Sequence, residues 1–463
     1  MSPQEIVERV LALSKGDGCI VITTERSEAN LRWANNTLTT NGQMRSRALT
    51  VISIVNGTAG TASGVIQRSS VSDDELEPLV RAAEQAAHDA GPADDVAPLV
   101  EPGSSGAGAS DWDSGPEETS VRVFGDFAPA LGDAFGRAGS AEQLLFGFAE
   151  HSVDTVYLGS STGLRLRHVK PTGKFELNGK SSDLSRSAWT GAATADFTDI
   201  DVPAYSSEID RRLGWAQRKV DLPAGRYETL LPPAAVADLL IYMYFTCAAR
   251  DTDQGQTVFS KPGGGNRIGE RLANVPVTLR SDPGAAGLAT TPFVTTSSSD
   301  SLFSVFDNGA STGPTDWIHE GVLNALPGTR AWAERSGGTA TPLIDNLILD
   351  GPAGGRSLEE MVASTERGLL LTCLWYIRPV DPQTLLLTGL TRDGVYLVEG
   401  GEVTGAVNNF RFNESPVGLL GRLAEVGSTS ITLPREWNDF FTRAAMPTLR
   451  IGDFNMSTVS QAS

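Results

Sequence analysis

The segment Val395-Tyr-Leu-Val-Glu-Gly-Gly-Glu-Val403 constrains the fold most strongly. Val395 to Val398 favour extended backbone, Glu399-Gly400-Gly401-Glu402 is a turn, and Val403 begins the return. Paired glycines at a reversal permit the positive φ that a tight hairpin turn requires, so the two runs must pair antiparallel. A chain built on such hairpins leads to an antiparallel sheet.

The rest of the chain mixes helices with strands. Met1 to Leu13 reads as a short amphipathic helix, with Ile6, Val7, Val10, Leu11 and Leu13 on one side. Strand-like runs follow at Cys19 to Thr24 and Ala48 to Val55, with Asn35-Asn36 and Asn41-Gly42 as turn signals. Ser72-Asp73-Asp74-Glu75 is a capping box that opens a long helix ending at Gly91. Gly91 to Glu117 is rich in Gly, Ala, Ser, Asp and Pro and reads as a mobile linker or loop. Helical patterning is expected over Phe124 to Arg137 and again from Ser140 to about Glu150. Strands are expected from Val153 to Phe197, and a helix over Glu208 to Arg218. From Leu222 the chain is β-rich apart from helices at Pro233 to Arg250 and from Ser357, where a second capping box leads to a stop at Gly368. The expectation is an α+β protein, N-terminal α/β units followed by a largely antiparallel β C-terminal domain with a few helices. Its predicted divisions are an α+β domain over 1–100, a linker or mobile loop over 101–118, a middle α+β domain over 119–221 and a β-rich domain over 222–463.

A length of 463 residues exceeds one ordinary core, in keeping with two or three domains. With 37 basic against 56 acidic residues the net charge is −19, which a phosphate backbone repels, so nucleic acid is not an expected partner. Cys19, Cys247 and Cys373 are too scattered for a disulfide framework and read as reduced thiols of a cytoplasmic protein. The N-terminus lacks the basic patch and apolar core of a signal peptide. The apolar run from Leu239 to Ala249 is too short to span a bilayer, so no membrane association is expected.

Several motifs invite a chemical reading and fail on context. Gly159-Ser160-Ser161-Thr162-Gly163 matches a nucleophile elbow, but the alternating run Leu164 to Val169 after it is a strand where the elbow requires a helix. Ser161 therefore reads as a turn residue. His319-Glu320 lies between strand-like pairs and reads as a surface turn; His88, His151 and His168 stand in other segments without ligand spacing. Lys261-Pro-Gly-Gly-Gly-Asn-Arg-Ile-Gly269 fits neither a dinucleotide nor a phosphate-binding fingerprint. Gly263, Gly264 and Gly265 therefore read as a flexible loop. Cys373, in a hydrophobic run without a nearby His, reads as core. Arg378, Arg392 and Asp393 sit at strand ends, where they bind a peptide terminus or are solvated charges.

The hairpin, together with Asn408-Asn-Phe-Arg-Phe-Asn-Glu-Ser415, resembles the C-terminal domain of the TldD/PmbA (TldD/TldE) family of heterodimeric metallopeptidases. Arg32-Trp-Ala-Asn-Asn36, the run Ser357 to Gly368 and Met446-Pro-Thr-Leu-Arg-Ile451 fit it in family order, so the resemblance spans most of the chain. TldD-type chains of this family carry H-E-x-x-x-H on a helix opening the C-terminal domain, the two His holding zinc and the Glu serving as base. TldE-type chains lack it. The motif falls here on Ile241-Tyr-Met-Tyr-Phe-Thr246, which contains neither imidazole nor carboxylate, and the family's third ligand, a Cys, is missing from Gly427 to Ala445.

The resemblance thus implies a TldE-like subunit with no catalytic residue and no metal or other cofactor of its own. Zinc is expected in a TldD-like partner, and short or unfolded peptides or peptide-derived natural products as substrates of amide hydrolysis. Tyr242 or Tyr244 then lines a cleft or packs in the core, and Gly263 to Gly265 and Arg378 are candidates for substrate or interface contact. A non-enzymatic scaffold of the same fold and a stand-alone non-metal hydrolase are the competing readings.

Overall fold

The computed structural model describes residues 1–103 and 111–460. Period-two alternation along Gly18–Ala34 (β1) organises the N-terminal half. It pairs antiparallel with Thr37–Gly57 (β2) on one side and Gln143–Ser160 (β4) on the other. Gly60–Ser69 (β3), Arg165–Ser181 (β5) and Ser187–Thr194 (β6) complete a six-stranded sheet of order β3-β2-β1-β4-β5-β6. Cys19, Val21, Ala29, Leu31 and Trp33 face four helices: Pro3–Leu13 (α1), Leu76–Asp89 (α2), Phe127–Ser140 (α3) and Val202–Trp215 (α4). Ile20 and Ile22 point the other way and pack with Phe293, Val305 and Phe306 of the C-terminal half. Both faces of the sheet are therefore covered at the end that carries Ile20, Ile22, Ile52 and Leu158.

This sheet corrects the predicted division at 101–118. β1 and β4 come from opposite sides of that boundary, yet they pair along most of their lengths, so 1–100 and 119–221 share one sheet. Nor is the segment Gly91 to Glu117 loose where it is described. Ala97 and Val100 are buried in the core shared with Ile20, and the Tyr157 hydroxyl donates to the Ser114 carbonyl at 2.7 Å. Arg167 donates to Asp111 Oδ2 at 2.8 Å and to the Gly115 carbonyl at 2.7 Å. The part of the predicted linker at 104–110 lies outside the described residues.

Local expectations fare unevenly. Both predicted capping boxes form, at Ser72 and Ser357. The hairpin is present as strands Val395–Glu399 and Glu402–Val407, with Gly400 and Gly401 at φ 61° and 85°. The turn between β1 and β2 is at Asn35-Asn36, both left-handed, whereas Asn41-Gly42 runs on within β2 opposite Asn30 and Leu31. The predicted helix from Ser140 to Glu150 is strand β4. Leu145 and Ala149 face the helices, while Phe146 and Phe148 on the other face lie under Lys180 and Arg32. Apolar residues on both faces erase the alternation that marks a strand.

The C-terminal half is a mixed, mostly antiparallel sheet built around the strand Ala444–Val459. That strand pairs antiparallel with Leu423–Thr432, Gly225–Leu231 and Phe410–Glu414, and parallel with Leu347–Asp350. Helix Pro233–Phe245 (α5) packs on it, with Pro233 in the first turn, where a missing N–H costs nothing. The helix ends at Phe245, short of the predicted Arg250, and a short helix Ala249–Asp253 follows. Lysines of β5 tie the halves together: Lys170 reaches Asp345 at 3.0 Å, and Lys174 reaches Asp439 at 2.6 Å. Arg443 donates to the Pro171 carbonyl at 2.6 Å and to Thr172 Oγ1 at 2.5 Å. Among the described residues, no helix is long and apolar enough to cross a membrane.

Candidate functional site

Helix α5 is apolar nearly all round, which suits an element enclosed on most sides. Ile241, Met243 and Tyr244 are buried, and Tyr242 and Phe245 are half-buried. The Tyr244 hydroxyl donates to the Ile344 carbonyl at 3.1 Å and accepts the Ile344 N–H at 2.9 Å, with the ring against Trp317 and Phe441. Tyr244 is therefore core, not cleft. Ile241 to Thr246 presents no imidazole, thiol or carboxylate, so this segment does not fit a zinc ion. Among the described residues, no group of three or more His, Cys, Asp or Glu is arranged to hold a metal ion.

One polar residue interrupts the helix. Asp238 is fully buried, and its Oδ1 accepts the backbone N–H of Glu436 at 2.9 Å. The Trp437 indole donates to the Asp238 carbonyl at 2.7 Å, and Tyr242 packs on that indole with ring centroids 5.5 Å apart. Burial raises the Asp238 carboxyl well above the usual range, against the hydrogen bond from Glu436. These contacts anchor the loop between Leu423–Thr432 and Ala444–Val459 to α5.

Glu436 in turn shapes the neighbouring strand Trp375–Asp381, which pairs with Leu386–Leu390. Its carboxylate accepts the N–H groups of Tyr376 at 3.1 Å and Ile377 at 3.0 Å and lies 3.3 Å from Arg378 Nη1. Tyr376 has φ 51°, an uncommon conformation for a residue with a side chain, and its ring is 59% exposed. The paired N–H acceptance holds that conformation and turns an aromatic ring outward. Beside it, the guanidinium of buried Arg435 stacks on Trp375 and faces Trp189 of β6.

Of the predicted site residues, Tyr242 and Arg378 meet around this loop, where Arg378 works against the rise that burial causes in the Tyr242 hydroxyl pKa. Gly263, Gly264 and Gly265 instead form an exposed turn with φ of 90°, 108° and 83°, closed by the Lys261 N–H on the Gly265 carbonyl at 2.9 Å. Among the described residues, no hydrogen bond joins that turn to the loop around Glu436. Asp238, Trp375, Arg435 and Glu436 escaped sequence reading. The available signal was an acid inside an otherwise apolar helix.

The excluded motifs stay excluded. Ser161 sits in a turn, its Oγ accepting the Cys19 N–H at 3.1 Å. His319 and Glu320 lie at a hairpin turn with Glu320 at φ 48°. His151 is tied to Thr119 and the Ala195 carbonyl, and burial pushes the Cys373 thiol up to about 12.

Fold and site together define a two-module α+β protein in which an apolar helix backs a polar, aromatic-rimmed loop. Residues 224–458 match the PmbA/TldA metallopeptidase C-terminal domain, and the chain belongs to the TldD/PmbA/TldE family. The fold is shared with TldE from Thermococcus kodakarensis at 16% identity and a TM-score of 0.79, over 98% of this chain and 99% of that one. It is also shared with a candidate modulator of DNA gyrase from Bacteroides thetaiotaomicron, at 15% identity and a TM-score of 0.75 over 98% and 99%. A similar candidate modulator from Thermotoga maritima aligns at 17% identity and a TM-score of 0.72 over the same shares. No curated protein matches the chain.

Proposed function

We propose that this chain is the metal-free subunit of a heterodimeric peptidase that hydrolyses amide bonds of short or unfolded peptides or peptide-derived natural products. The observation that carries this reading is the filling of the family's metal-helix positions, Ile241 to Thr246, by core side chains such as Ile241, Met243 and Tyr244. Side chains locked in a core have no freedom to bind an ion or activate its water. Zinc and base belong to an H-E-x-x-x-H-bearing partner, and no step of hydrolysis is assigned to a residue of this chain. Its contribution is a surface that completes the cleft, with Tyr242, Arg378 and the Gly263 to Gly265 turn as interface or substrate contacts. Neither nucleic acid nor membrane takes part, and the complex works in the cytoplasm.

Co-expression with an H-E-x-x-x-H homologue tests the pairing. A heterodimer by light scattering, burying on the order of 2,000 Å² or more, and peptide turnover only by the mixed complex are the expected results. A monomer that leaves the homologue's activity unchanged would overturn the proposal and favour a scaffold.

A further inference from the structure

Arg435 is a buried cation without a counterion. It is 9% exposed, yet among the described residues no hydrogen bond or ion pair engages its guanidinium, and its Nε is buried without a partner. The guanidinium carbon lies 3.2 Å from the ring centroid of Trp375 and 5.1 Å from that of Trp189. Trp189 commits its indole N–H to Glu176 Oε2 at 2.9 Å, which fixes one wall, whereas the buried Trp375 Nε1 has no partner. The buried carboxyl on which the Arg435 charge acts is Asp238. It makes no ion pair with Arg435, its Oδ2 is also unpartnered, and burial favours its neutral form. One positive charge and two indole and guanidinium donors are left over at the seam between the two halves.

Leaving such a cation unpaired is costly, and aromatic stacking offsets only part of that cost. What the stack does supply is pre-organisation, since a guanidinium held between two indoles keeps its planar fork in one orientation. The group that fits a fixed fork with an adjacent N–H is a planar carboxylate. A phosphate is the poorer fit, because Glu176, held by the Trp189 indole, and Glu436, next in sequence to Arg435, oppose a second negative charge more than a first.

We propose that Arg435, stacked between Trp189 and Trp375 and assisted by Trp375 Nε1, is a binding site for a carboxylate of a peptide, either its C-terminus or an acidic side chain. The exposed Tyr376 ring, stacked on Trp375 with centroids 6.3 Å apart, forms the rim over which the peptide enters. The peptide class rests on the proposed peptidase role. Binding is measured on this chain by itself, so its failure leaves the pairing and metal measurements standing, and their failure leaves a carboxylate site standing.

The test is a titration of the full chain followed by tryptophan fluorescence and calorimetry. The probes are N-acetyl-dialanine, its C-terminal amide, N-acetyl-glutamic acid α-amide and inorganic phosphate. The free acid should bind about tenfold or more tightly than the amide. Binding of the glutamyl probe as well assigns the site to carboxylates in general, and its failure to bind assigns the site to the C-terminus. Arg435→Gln should abolish the difference between acid and amide, and Trp375→Phe, which keeps a stacking ring but removes the N–H, should reduce it. Equal affinity for acid and amide, no binding of either, or tighter binding of phosphate would overturn the proposal. The acid-to-amide comparison in the unaltered chain holds even if a variant fails to fold.

Discussion

The Tyr244 hydroxyl and the Ile344 backbone form a closed reciprocal pair, the hydroxyl donating to the carbonyl and accepting from the N–H of the same residue. The hydroxyl proton is committed and the group is buried, so it does not face a substrate. Tyr244→Phe would strand both backbone groups in the core, at a cost of about 1–3 kcal/mol. Urea unfolding should show that loss, while turnover per folded complex stays unchanged; unaltered stability with impaired turnover would return Tyr244 to the cleft.

How far the sequence discloses such details depends on how local they are. Capping boxes at Ser72 and Ser357 and the hairpin at Gly400-Gly401 are set by residues within a few positions of one another, and each forms as expected. The pairing of β1 with β4 joins residues more than a hundred positions apart, and no short motif signals it. Strand β4 reads as a helix because Phe146 and Phe148 find partners in basic side chains on the face opposite the helices. The site shows the same limit. Tyr242 lies on the segment picked out by family resemblance, whereas Trp189, Trp375 and Arg435 converge from three distant strands and loops.

Ser161 provides a second check. Its Oγ accepts the Cys19 N–H, and its own N–H donates to the Cys19 carbonyl at 2.8 Å. Ser161→Ala loses only the first bond, so stability should fall by about 1 kcal/mol, somewhat more than for an uninvolved turn residue. Activity of the assembled complex should not change. A drop by orders of magnitude in an intact complex would restore a serine-hydrolase reading.

Asp238 makes stability depend on pH in a defined direction. Burial raises its carboxyl well above the usual range, so the folded chain retains a proton that the unfolded chain releases. The stability contributed by this group is complete below the unfolded value of about 3.9 and is lost as pH rises through the folded value. Asp238→Asn keeps an acceptor for the Glu436 N–H but does not titrate. The stability of the variant relative to the parent should therefore increase as pH is raised from about 4 into the neutral range, as read from urea midpoints. A difference that stays flat over that interval would contradict a buried, proton-holding Asp238.

The central claim is that this chain contributes a cleft surface while another chain contributes the metal. Elemental analysis of the co-purified complex, followed by separation and analysis of each subunit after re-exposure to zinc, tests it most directly. One zinc per complex, recovered with the H-E-x-x-x-H-bearing subunit and none with this chain, is the predicted result. A tightly bound, stoichiometric zinc on this chain alone would contradict it.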